Sequence, residues 1–530
     1  MPLFGFKGEN AREKVIVLLT MCFALAMAML DNTVVNIALP TIQTRLNATV
    51  SDLQWIIDGY VLAFASLLLT GGILGDRYGR KKMFLTGLAI FTLASLGCGL
   101  SASGGQLIAF RALQGIGAAL LMPGTLSILT VTFPPEERSR AIGLWAGVSG
   151  LALALGPTLG GWIVEHAGWE TVFFINVPIG LIAFTIAWRT VRESVSEETR
   201  HLDLPGLALG TGGLFALTYG LIEANQRGWG DGLILASLAS AAILLVAFLV
   251  WEHLSPKAMM PLTFFRIPAF SAGNAVAFSV SLSMFSIFLF VTLYMQAIRG
   301  YTPFQTGLRF LPMTVTIIVT APIAGHVAQR IGPRIPMTYG LTIASAGLLG
   351  LTMVEPDTSF WVLAILFVMM GHGLGSTMAP MTAAVMGAVG PQRAGLGSAM
   401  TNTSREVGGV VGIALLGTVL FDRLGSVLVP QLANLDLTGA QASAVAQAAS
   451  HGFVSPDELG SLGLSSEQAA GFVVAFRDSY MSGFHLALLI AGLVLLTAAV
   501  VANRFIPGRA HADEIHAEAA SRDRVPAAAE

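Results

Sequence analysis

Long apolar stretches separated by short charged turns dominate this sequence. A helix needs about 20 mostly apolar residues to cross the hydrocarbon core of a bilayer. Fourteen stretches satisfy that length, and we predict that each is a membrane-spanning helix in an all-α integral membrane protein. Numbered as spans one to fourteen, they cover approximately 14–38, 53–74, 83–101, 106–132, 141–163, 170–189, 204–224, 233–251, 269–296, 304–328, 335–353, 359–386, 394–420 and 481–503.

The composition and the basic residues agree with this topology. Hydrophobic residues make up 54% of the chain and charged residues only 11%, whereas soluble domains carry about 25% charged residues. With the N-terminus inside, 21 Lys and Arg residues lie in cytoplasmic segments and 5 in outer segments. Basic residues favour the cytoplasmic side. We therefore predict a multi-pass protein of the cell membrane with both termini cytoplasmic, whose first apolar run is retained rather than cleaved.

Several functional classes lack their sequence signals. No basic stripe is interleaved with aromatic residues, so we expect no nucleic-acid partner. Cys22 and Cys98 both lie in apolar runs, which predicts neither a disulfide framework nor a zinc site. The glycine-rich turn 75–82 lacks the Gly-Lys-Ser/Thr of a phosphate-binding loop. We predict that the chain is not an enzyme and uses no metal or organic cofactor, only a proton gradient.

The chain is internally duplicated. Adding 253 to the numbering carries the charged turn that begins at Gly72 onto one that begins at Gly325, with Gln329 in place of Asp76. Internal repeats are typical of secondary transporters. The predicted domains are a cytoplasmic N-terminal tail 1–13, a six-helix bundle 14–190, connectors with two inserted helices 191–268, a second six-helix bundle 269–504 with a long outer loop 421–480, and a disordered cytoplasmic tail 505–530.

The charged turn between spans two and three is predicted to be a conformational latch between membrane helices. Its glycines allow close helix approach or positive φ, and its acidic residue can pair with an Arg or cap a helix. A loop that only sets the topology is the alternative interpretation. The latch residues are Gly72, Asp76, Arg77, Gly79 and Arg80.

Charged residues inside the spans are costly in hydrocarbon and are therefore functional candidates. Asp31 in span one and Arg111 in span four lie at similar depths below the outer surface. They could pair and then be separated by protonation, and a purely structural ion pair is the alternative. Gln114 follows on the face of Arg111, and Asn36 lies on a polar face of span one.

Glu406 lies near the middle of span thirteen, where an acid must be neutral, paired or next to a wet cavity. We predict that it binds a proton or a cationic substrate, and a pair with a neighbouring helix is the alternative. Asp58, about one turn into span two, is a weaker candidate because it can reach outer water. Glu223 is expected at the outer interface.

Span five is rich in glycine and contains a proline. Small residues four apart favour close helix contact, and a proline inside a helix bends it. We predict a hinge or rocking surface at Gly156, Pro157, Gly160 and Gly161. Span thirteen, its counterpart in the duplication, is also glycine-rich, and the two are expected to face each other between the halves.

These motifs resemble the major facilitator superfamily, and within it the fourteen-span drug:proton antiporters of the multidrug and quaternary-ammonium resistance type. The turn that starts at Gly72 is similar to the superfamily's loop signature, and 111–117 is similar to the span-four signature tied to proton coupling. The stretch 150–161 resembles the span-five antiporter signature, and 30–40 resembles the span-one signature of the fourteen-span branch. Trp55 with Tyr60, and 174–178, are further matches within a resemblance that covers about 14–504.

The resemblance implies a major facilitator fold of two pseudo-symmetric six-helix bundles plus two inserted central helices. It implies a transporter that exports lipophilic, often cationic small molecules in exchange for protons by alternating access, as a monomer in the lipid bilayer. Proton-coupled transport of a specific metabolite or natural product is one alternative, and a non-transporting membrane scaffold or sensor is another. The implied proton-coupling residues are Asp31, Arg111 and Glu406, and the implied substrate-binding residues are Asp58, Glu406, Asn36, Tyr60 and Gln114.

Overall fold

The computed structural model describes residues 11–46, 48, 50–195, 203–255, 262–389, 394–432, 435, 437–438, 441 and 464–508. Helices hold most of these residues, and no strand occurs among them. The α-helices are α1 (Ala11–Leu46), α2 (Val50–Tyr78), α3 (Arg80–Gly99), α4 (Gly104–Thr132), α5 (Pro135–Ala167), α6 (Glu170–Phe174), α7 (Asn176–Thr190), α8 (Leu204–Arg227), α9 (Gly232–Leu254), α10 (Pro268–Leu293), α11 (Pro303–Arg309), α12 (Leu311–Ile331), α13 (Arg334–Leu351), α14 (Phe360–Val389), α15 (Ala394–Leu432) and α16 (Ser466–Phe505). A 3₁₀-helix covers Leu262–Arg266, and a π-helical turn covers Tyr294–Ile298.

These helices follow the predicted spans in order along the chain. Span six consists of α6 and α7, and span ten consists of α11 and α12. Within the described ranges, twelve helical segments are long and apolar enough to cross a membrane. The two predicted spans outside that set are α5 and α13, and α13 has only 18 residues. The protein is thus an all-α membrane protein, and a crossing by all fourteen spans stays a prediction.

The helix ends follow from local sequence. Gly79 has φ of 112° and separates α2 from α3, a conformation that glycine adopts without the steric cost of a side chain. Ser103 begins α4 by accepting a hydrogen bond from the Gln106 backbone N–H at 3.4 Å. Ser465 and Gln468 form a reciprocal capping box at the start of α16.

The outer loop is shorter than the predicted 421–480. α15 continues to Leu432 and α16 already begins at Ser466, because the Ser465 cap starts the last membrane helix. The predicted tails fall almost wholly outside the described residues.

The buried apolar residues form two large clusters, one in each half of the chain. The first cluster contains residues of α1, α2, α3, α4, α5 and α7, and Trp145, Phe84 and Phe91 are among its fully buried side chains. The second joins α10 to α16. Two residues of α14, Met378 and Met386, belong to the first cluster. The halves are therefore packed together where the predicted cytoplasmic half of α14 meets the N-terminal helices.

The expectation that spans five and thirteen face each other is wrong. α5 packs on α12 and α14, whereas α15 packs on α2 and α4. A Cβ at Gly143 of α5 would lie 3.0 Å from the Ala321 carbonyl oxygen of α12. The physical reason is the two-fold relation between the halves: it exchanges span two with span ten and span five with span thirteen. The contact between spans five and ten therefore has its counterpart in the contact between thirteen and two.

The two inserted helices lie along the side of this assembly, where α2 and α15 meet. α8 packs on α2 and on α15, and α9 packs on α8. At the outer end the Trp229 indole donates a hydrogen bond to the Thr418 hydroxyl of α15 at 2.8 Å. Most of α9 faces outward from the protein. α8 thus touches both halves at once.

Close contact between α3 and α4 should depend on glycine at position 117. A Cβ on Gly117 would lie 2.6 Å from the Phe91 backbone nitrogen and 2.9 Å from the Gly87 carbonyl oxygen. We expect Gly117→Ala to force these helices apart and to lower the free energy of unfolding by about 1–3 kcal/mol, seen as a lower melting temperature in detergent. Gly105→Ala on the same helix is the control, because nothing lies within 4 Å of its Cβ position. Equal melting temperatures for the two variants would contradict the packing described here.

Candidate functional site

Asp31 of α1 and Arg111 of α4 form a buried ion pair. Arg111 donates from Nη1 to Asp31 Oδ2 at 2.5 Å. Asp31 is 2% exposed and Arg111 is fully buried. The predicted pairing of these residues at matched depth is thus what the structure shows. Burial of two charges is tolerated only where each is paired and hydrogen-bonded.

Polar groups at three more positions also form hydrogen bonds with Asp31 or Arg111. Gln114 of α4 and Asn176 of α7 each donate to Asp31 Oδ1 at 2.8 Å. Arg111 also donates to Gln114 Oε1 at 2.7 Å and to the carbonyl oxygen of Ile56 on α2 at 3.0 Å. The Asp31 carboxylate therefore accepts three hydrogen bonds, all from helices of the N-terminal half. A proton added to it would remove its charge and weaken all three.

Sequence reasoning missed two members of this network. The sequence indicates Asn176 only as part of a family match, and it gives no reason to select Ser95 of α3. Asn176 donates to the Ser95 hydroxyl at 2.9 Å, and that hydroxyl donates to the Phe173 carbonyl oxygen at 3.0 Å. The available signal was that Asn176 is a lone amide within span six.

Tyr60 of α2 covers the Arg111 side chain. The centre of the guanidinium group lies 4.3 Å from the centroid of the Tyr60 ring, within the range of a cation–π contact. Tyr60 is 1% exposed and Gln114 is fully buried. Both were predicted to bind substrate, and in this conformation both are enclosed by the ion-pair network.

Glu406 of α15 faces the N-terminal half. On the same helix, Gly408 and Gly412 press against the backbone of α10 near Phe278 and Leu282. Glu406 is two residues before Gly408, about 200° around the helix, so its side chain is directed away from α10. Because α15 also packs on α2 and α4, the half-buried Glu406 side chain is on the side of the N-terminal half.

The remaining predicted ligand residues are placed less centrally. Asp58 lies half-buried on α2, one turn from Trp55, whose ring centroid lies 6.2 Å from that of Tyr219 on α8. Asn36 lies within α1, and its side chain is outside the described residues, as is that of Pro157 within α5. Gly156 and Gly160 pack α5 onto α1: a Cβ on Gly156 would overlap the Thr33 hydroxyl, and one on Gly160 would lie 2.7 Å from Val34. Gly161 has open space around it.

At the other end of α2, Asp76 connects the two halves. Its Oδ2 accepts a hydrogen bond from the backbone N–H of Leu396, in the first turn of α15, at 2.7 Å. Its Oδ1 is 2.7 Å from Arg80 Nη2. Asp76 is 1% exposed and Arg80 3%. A carboxylate is stabilised at a helix N-terminus, where backbone N–H groups are unpaired and the helix dipole is positive.

Other parts of the charged turn have different surroundings. Gly72 is buried within α2. The guanidinium of Arg77 lies 5.1 Å from the Tyr78 ring centroid. The second copy of the turn makes a weaker contact between halves: Gln329 donates to the Glu136 carbonyl oxygen of α5 at 2.5 Å. Because Gln329 stands where the first copy has Asp76, this bond joins neutral groups. Of the two copies of the turn, only the first therefore makes a charged contact between the halves.

Glu193, after α7, is a further residue that sequence reasoning missed. Its carboxylate accepts hydrogen bonds from the backbone N–H groups of Lys81 and Lys82 at 3.0 and 3.1 Å. A Cβ on Gly79 would lie 2.6 Å from that carboxylate carbon. Gly79 is thus required for its positive φ and for the close approach of Glu193, which caps α3 beside Asp76.

An all-helical bundle with two halves, a buried and hydrogen-bonded ion pair and a charged contact between the halves fit a membrane transporter. Residues 21–413 match the Major Facilitator Superfamily. The chain belongs to that superfamily and is a multi-pass membrane transporter.

Relatives and solved structures agree with this placement. The tetracenomycin C resistance and export protein of Streptomyces glaucescens is 38% identical over 505 residues, covering 94% of this chain and 92% of that protein. The multidrug resistance protein Stp of Mycobacterium tuberculosis is 35% identical over 422 residues, covering 79% and 78%. A structure of the proton:xylose symporter XylE superposes with a TM-score of 0.62 at 11% identity, covering 94% of this chain and 97% of that one. The XylE likeness shows the fold alone.

The Asp76 contact should favour closure at the predicted cytoplasmic end. Asp76→Asn removes a charge from the N-terminus of α15 and from Arg80, which we expect to cost the closed form about 1–2 kcal/mol, a shift of roughly 5- to 30-fold in its population. Spin labels at Lys82 and Arg330, on the exposed ends of α3 and α12, would report a larger fraction of long distances. Asp422→Asn, at an exposed position of α15, is the matched control. An unchanged distance distribution in Asp76→Asn would argue against the latch.

Proposed function

We propose that this protein is a proton-coupled efflux transporter that exports lipophilic, often cationic small molecules by alternating access. The observation that carries the proposal is the Asp31–Arg111 network, a protonatable carboxylate held by hydrogen bonds from α4 and α7. The named relatives support export of toxic small molecules, since one is a multidrug resistance protein and another a resistance and export protein.

Protonation of Asp31 is the coupling step in this proposal. A proton from the outer side neutralises the carboxylate, and the Arg111 charge is then left without its partner in a low-dielectric site. An unpaired buried charge is strongly unfavourable, so the N-terminal helices rearrange around Arg111. Because Arg111 also bonds to the Ile56 carbonyl, α2 is involved in that rearrangement. One proton moving down a potential of 100 mV supplies about 2.3 kcal/mol.

Glu406 supplies the preference for cations. It projects from α15 away from α10, on the side of the N-terminal half, and no described residue donates a hydrogen bond to it. A carboxylate in that position is stabilised by a substrate cation or by a proton. Asp58 and Asn36 stay candidates for substrate contact, and Tyr60 and Gln114 become candidates once the network opens. We also propose that a proton occupies the Glu406 carboxylate when no cation is bound, so that Glu406 couples protons to the export of cationic substrates only.

Export of one natural product is the second candidate function. It is favoured by the name of the relative in Streptomyces glaucescens, which specifies tetracenomycin C resistance and export. For both functions we propose a monomer in the cell membrane with cytoplasmic termini, and the distribution of Lys and Arg supports that orientation. A panel of chemically unrelated compounds separates them, because a dedicated exporter protects against one structural class.

Asp31→Asn should abolish proton-driven drug efflux in membrane vesicles, because an amide cannot exchange a proton. The substitution also leaves Arg111 buried with an uncompensated charge, at a cost of about 3–5 kcal/mol. The double variant Asp31→Asn/Arg111→Gln restores the charge balance, so it should recover wild-type melting behaviour without recovering efflux. Efflux with wild-type pH dependence in either variant would refute the assignment of Asp31.

Glu406→Gln should reduce resistance to cationic compounds and spare neutral lipophilic ones. The change keeps the size of the side chain but removes the charge that a cation requires. A resistance panel of matched cationic and neutral compounds measures this, with expression checked by blotting. Glu165→Gln, an exposed position at the end of α5, is the control. Equal losses in both groups would assign Glu406 to structure or proton coupling, and unchanged resistance would remove it from the transport path.

A further inference from the structure

A shallow cavity lies at the predicted outer end of the C-terminal half, where α16 meets α15 and the end of α13. Its volume is about 380 Å³, and the residues that line it are Thr352, Arg423, Ser482, His485, Leu486 and Leu489. The His485 ring is fixed there, because its Nε2 donates a hydrogen bond to the Val354 carbonyl oxygen at 2.8 Å. The described lining thus combines a guanidinium group and other polar groups with two leucine side chains, and it includes no carboxylate.

Two helices place this cavity at the level of the lipid headgroups. α13 ends at Leu351, directly before Thr352, and Arg423 is 29 residues after the predicted cytoplasmic start of α15. That distance is about 43 Å along a helix, and a bilayer with its headgroup regions is about 40–45 Å thick. Trp361, in the first turn of α14, is 75% exposed, and tryptophan is enriched at membrane–water interfaces. The polar end of the cavity is therefore at the outer headgroup region.

Two other arginines at the predicted outer surface are paired with acidic residues. Arg227 Nε lies 2.9 Å from Glu223 Oε2. Glu223 is 3% exposed, so it is buried rather than interfacial, which corrects the expectation from sequence. Arg477 Nη2 lies 2.7 Å from Asp357 Oδ1. The charges of both arginines are therefore compensated within the protein.

Arg423 has no acidic partner among the described residues. Its side chain is exposed and donates a hydrogen bond from Nε to the Ser482 hydroxyl at 3.0 Å. Asp422 and Asp478 are exposed nearby in the sequence of α15 and α16, and neither forms an ion pair with Arg423 in the described part of the chain. Both terminal nitrogens of the guanidinium group thus remain available, and this group binds phosphate through paired hydrogen bonds.

An exposed apolar stripe on α16 continues from the cavity into the membrane. Its four side chains are 38%, 42%, 48% and 40% exposed, and these are Leu486, Leu489, Leu493 and Leu496. A spacing of three or four residues puts them on one face of the helix. From the first leucine to the last the helix rises about 15 Å, which is half of a hydrocarbon core of about 30 Å. The stripe therefore matches the depth of one leaflet.

We propose that this cavity binds one phospholipid of the outer leaflet, with its phosphodiester on Arg423 and Ser482 and an acyl chain along the leucine stripe. The single negative charge of a phosphodiester balances the single positive charge of Arg423. The Ser482 hydroxyl accepts a hydrogen bond from Arg423 and can donate its own proton to a phosphate oxygen. A free phosphate would satisfy the guanidinium but would leave the stripe without an occupant. This binding does not depend on the proposed drug export.

Native mass spectrometry of the purified full-length protein in detergent measures this binding without any drug. The probe is phosphatidylglycerol, and the comparison compounds are a diacylglycerol with the same chains and glycerol phosphate, which has no chains. Arg423→Gln should weaken the tightest phosphatidylglycerol site by about 10- to 100-fold, because hydrogen bonds between charged groups are lost. Arg45→Gln, at an exposed position in the last turn of α1, is the matched control and should bind the lipid as the wild type does.

A second variant tests the apolar part of the site while Arg423 is kept. Leu489→Trp enlarges a side chain that lines the cavity, so it should displace phosphatidylglycerol. Because Leu489 is 42% exposed, the melting temperature of the lipid-free protein should stay at the wild-type value. Val473→Trp, at a 52% exposed position of the same helix outside the cavity, should leave lipid binding unchanged.

Three results would overturn the proposal. The first is equal phosphatidylglycerol affinity in the wild type and in Arg423→Gln. The second is equally tight binding of the diacylglycerol, which would mean that the phosphate is not recognised. The third is glycerol phosphate that competes as well as the lipid does, which would make this a site for free phosphate compounds. Loss of binding in Arg423→Gln and Leu489→Trp, with both controls unaffected, is the result expected of a phospholipid site.

Discussion

The ion pair between Asp31 and Arg111 is the interaction on which the N-terminal half depends. An isolated charge in hydrocarbon costs at least a few kcal/mol, and here both charged groups are hydrogen-bonded by neighbours on α2, α4 and α7. Such a network is stable only as a complete set, because loss of one charge leaves the other buried and unpaired. This sensitivity is what allows one proton to alter the packing of several helices.

α2 connects this network to the contact between the halves. The Ile56 carbonyl accepts a hydrogen bond from Arg111, and Asp76, 20 residues later, caps α15. That separation is about 30 Å along a helix. Because α2 is a continuous helix over this length, its displacement as a rigid body would change both contacts. α2 therefore connects the Asp31–Arg111 network directly to the latch at Asp76.

The inserted helices add a third contact to the same element. α8 packs along α2 through the Trp55–Tyr219 and Thr70–Thr211 contacts and reaches α15 through the loop that carries Trp229. It lies where α2 and α15 meet, so any opening between those helices changes its surroundings.

The sequence by itself determined the helices, their order and the candidate charges. Runs of about 20 apolar residues can satisfy their backbone in a membrane only as helices, and charges such as Asp31, Arg111 and Glu406 stand out against an apolar background. The sequence did not determine which residues and helices contact each other. Only the tertiary structure decided that Asn176 and Ser95 complete the network, that Glu193 caps α3 and that α15 packs on α2 rather than on α5. Helical periodicity records which face of a helix is polar, but the rotation and height of one helix against another depend on packing between residues far apart in the chain.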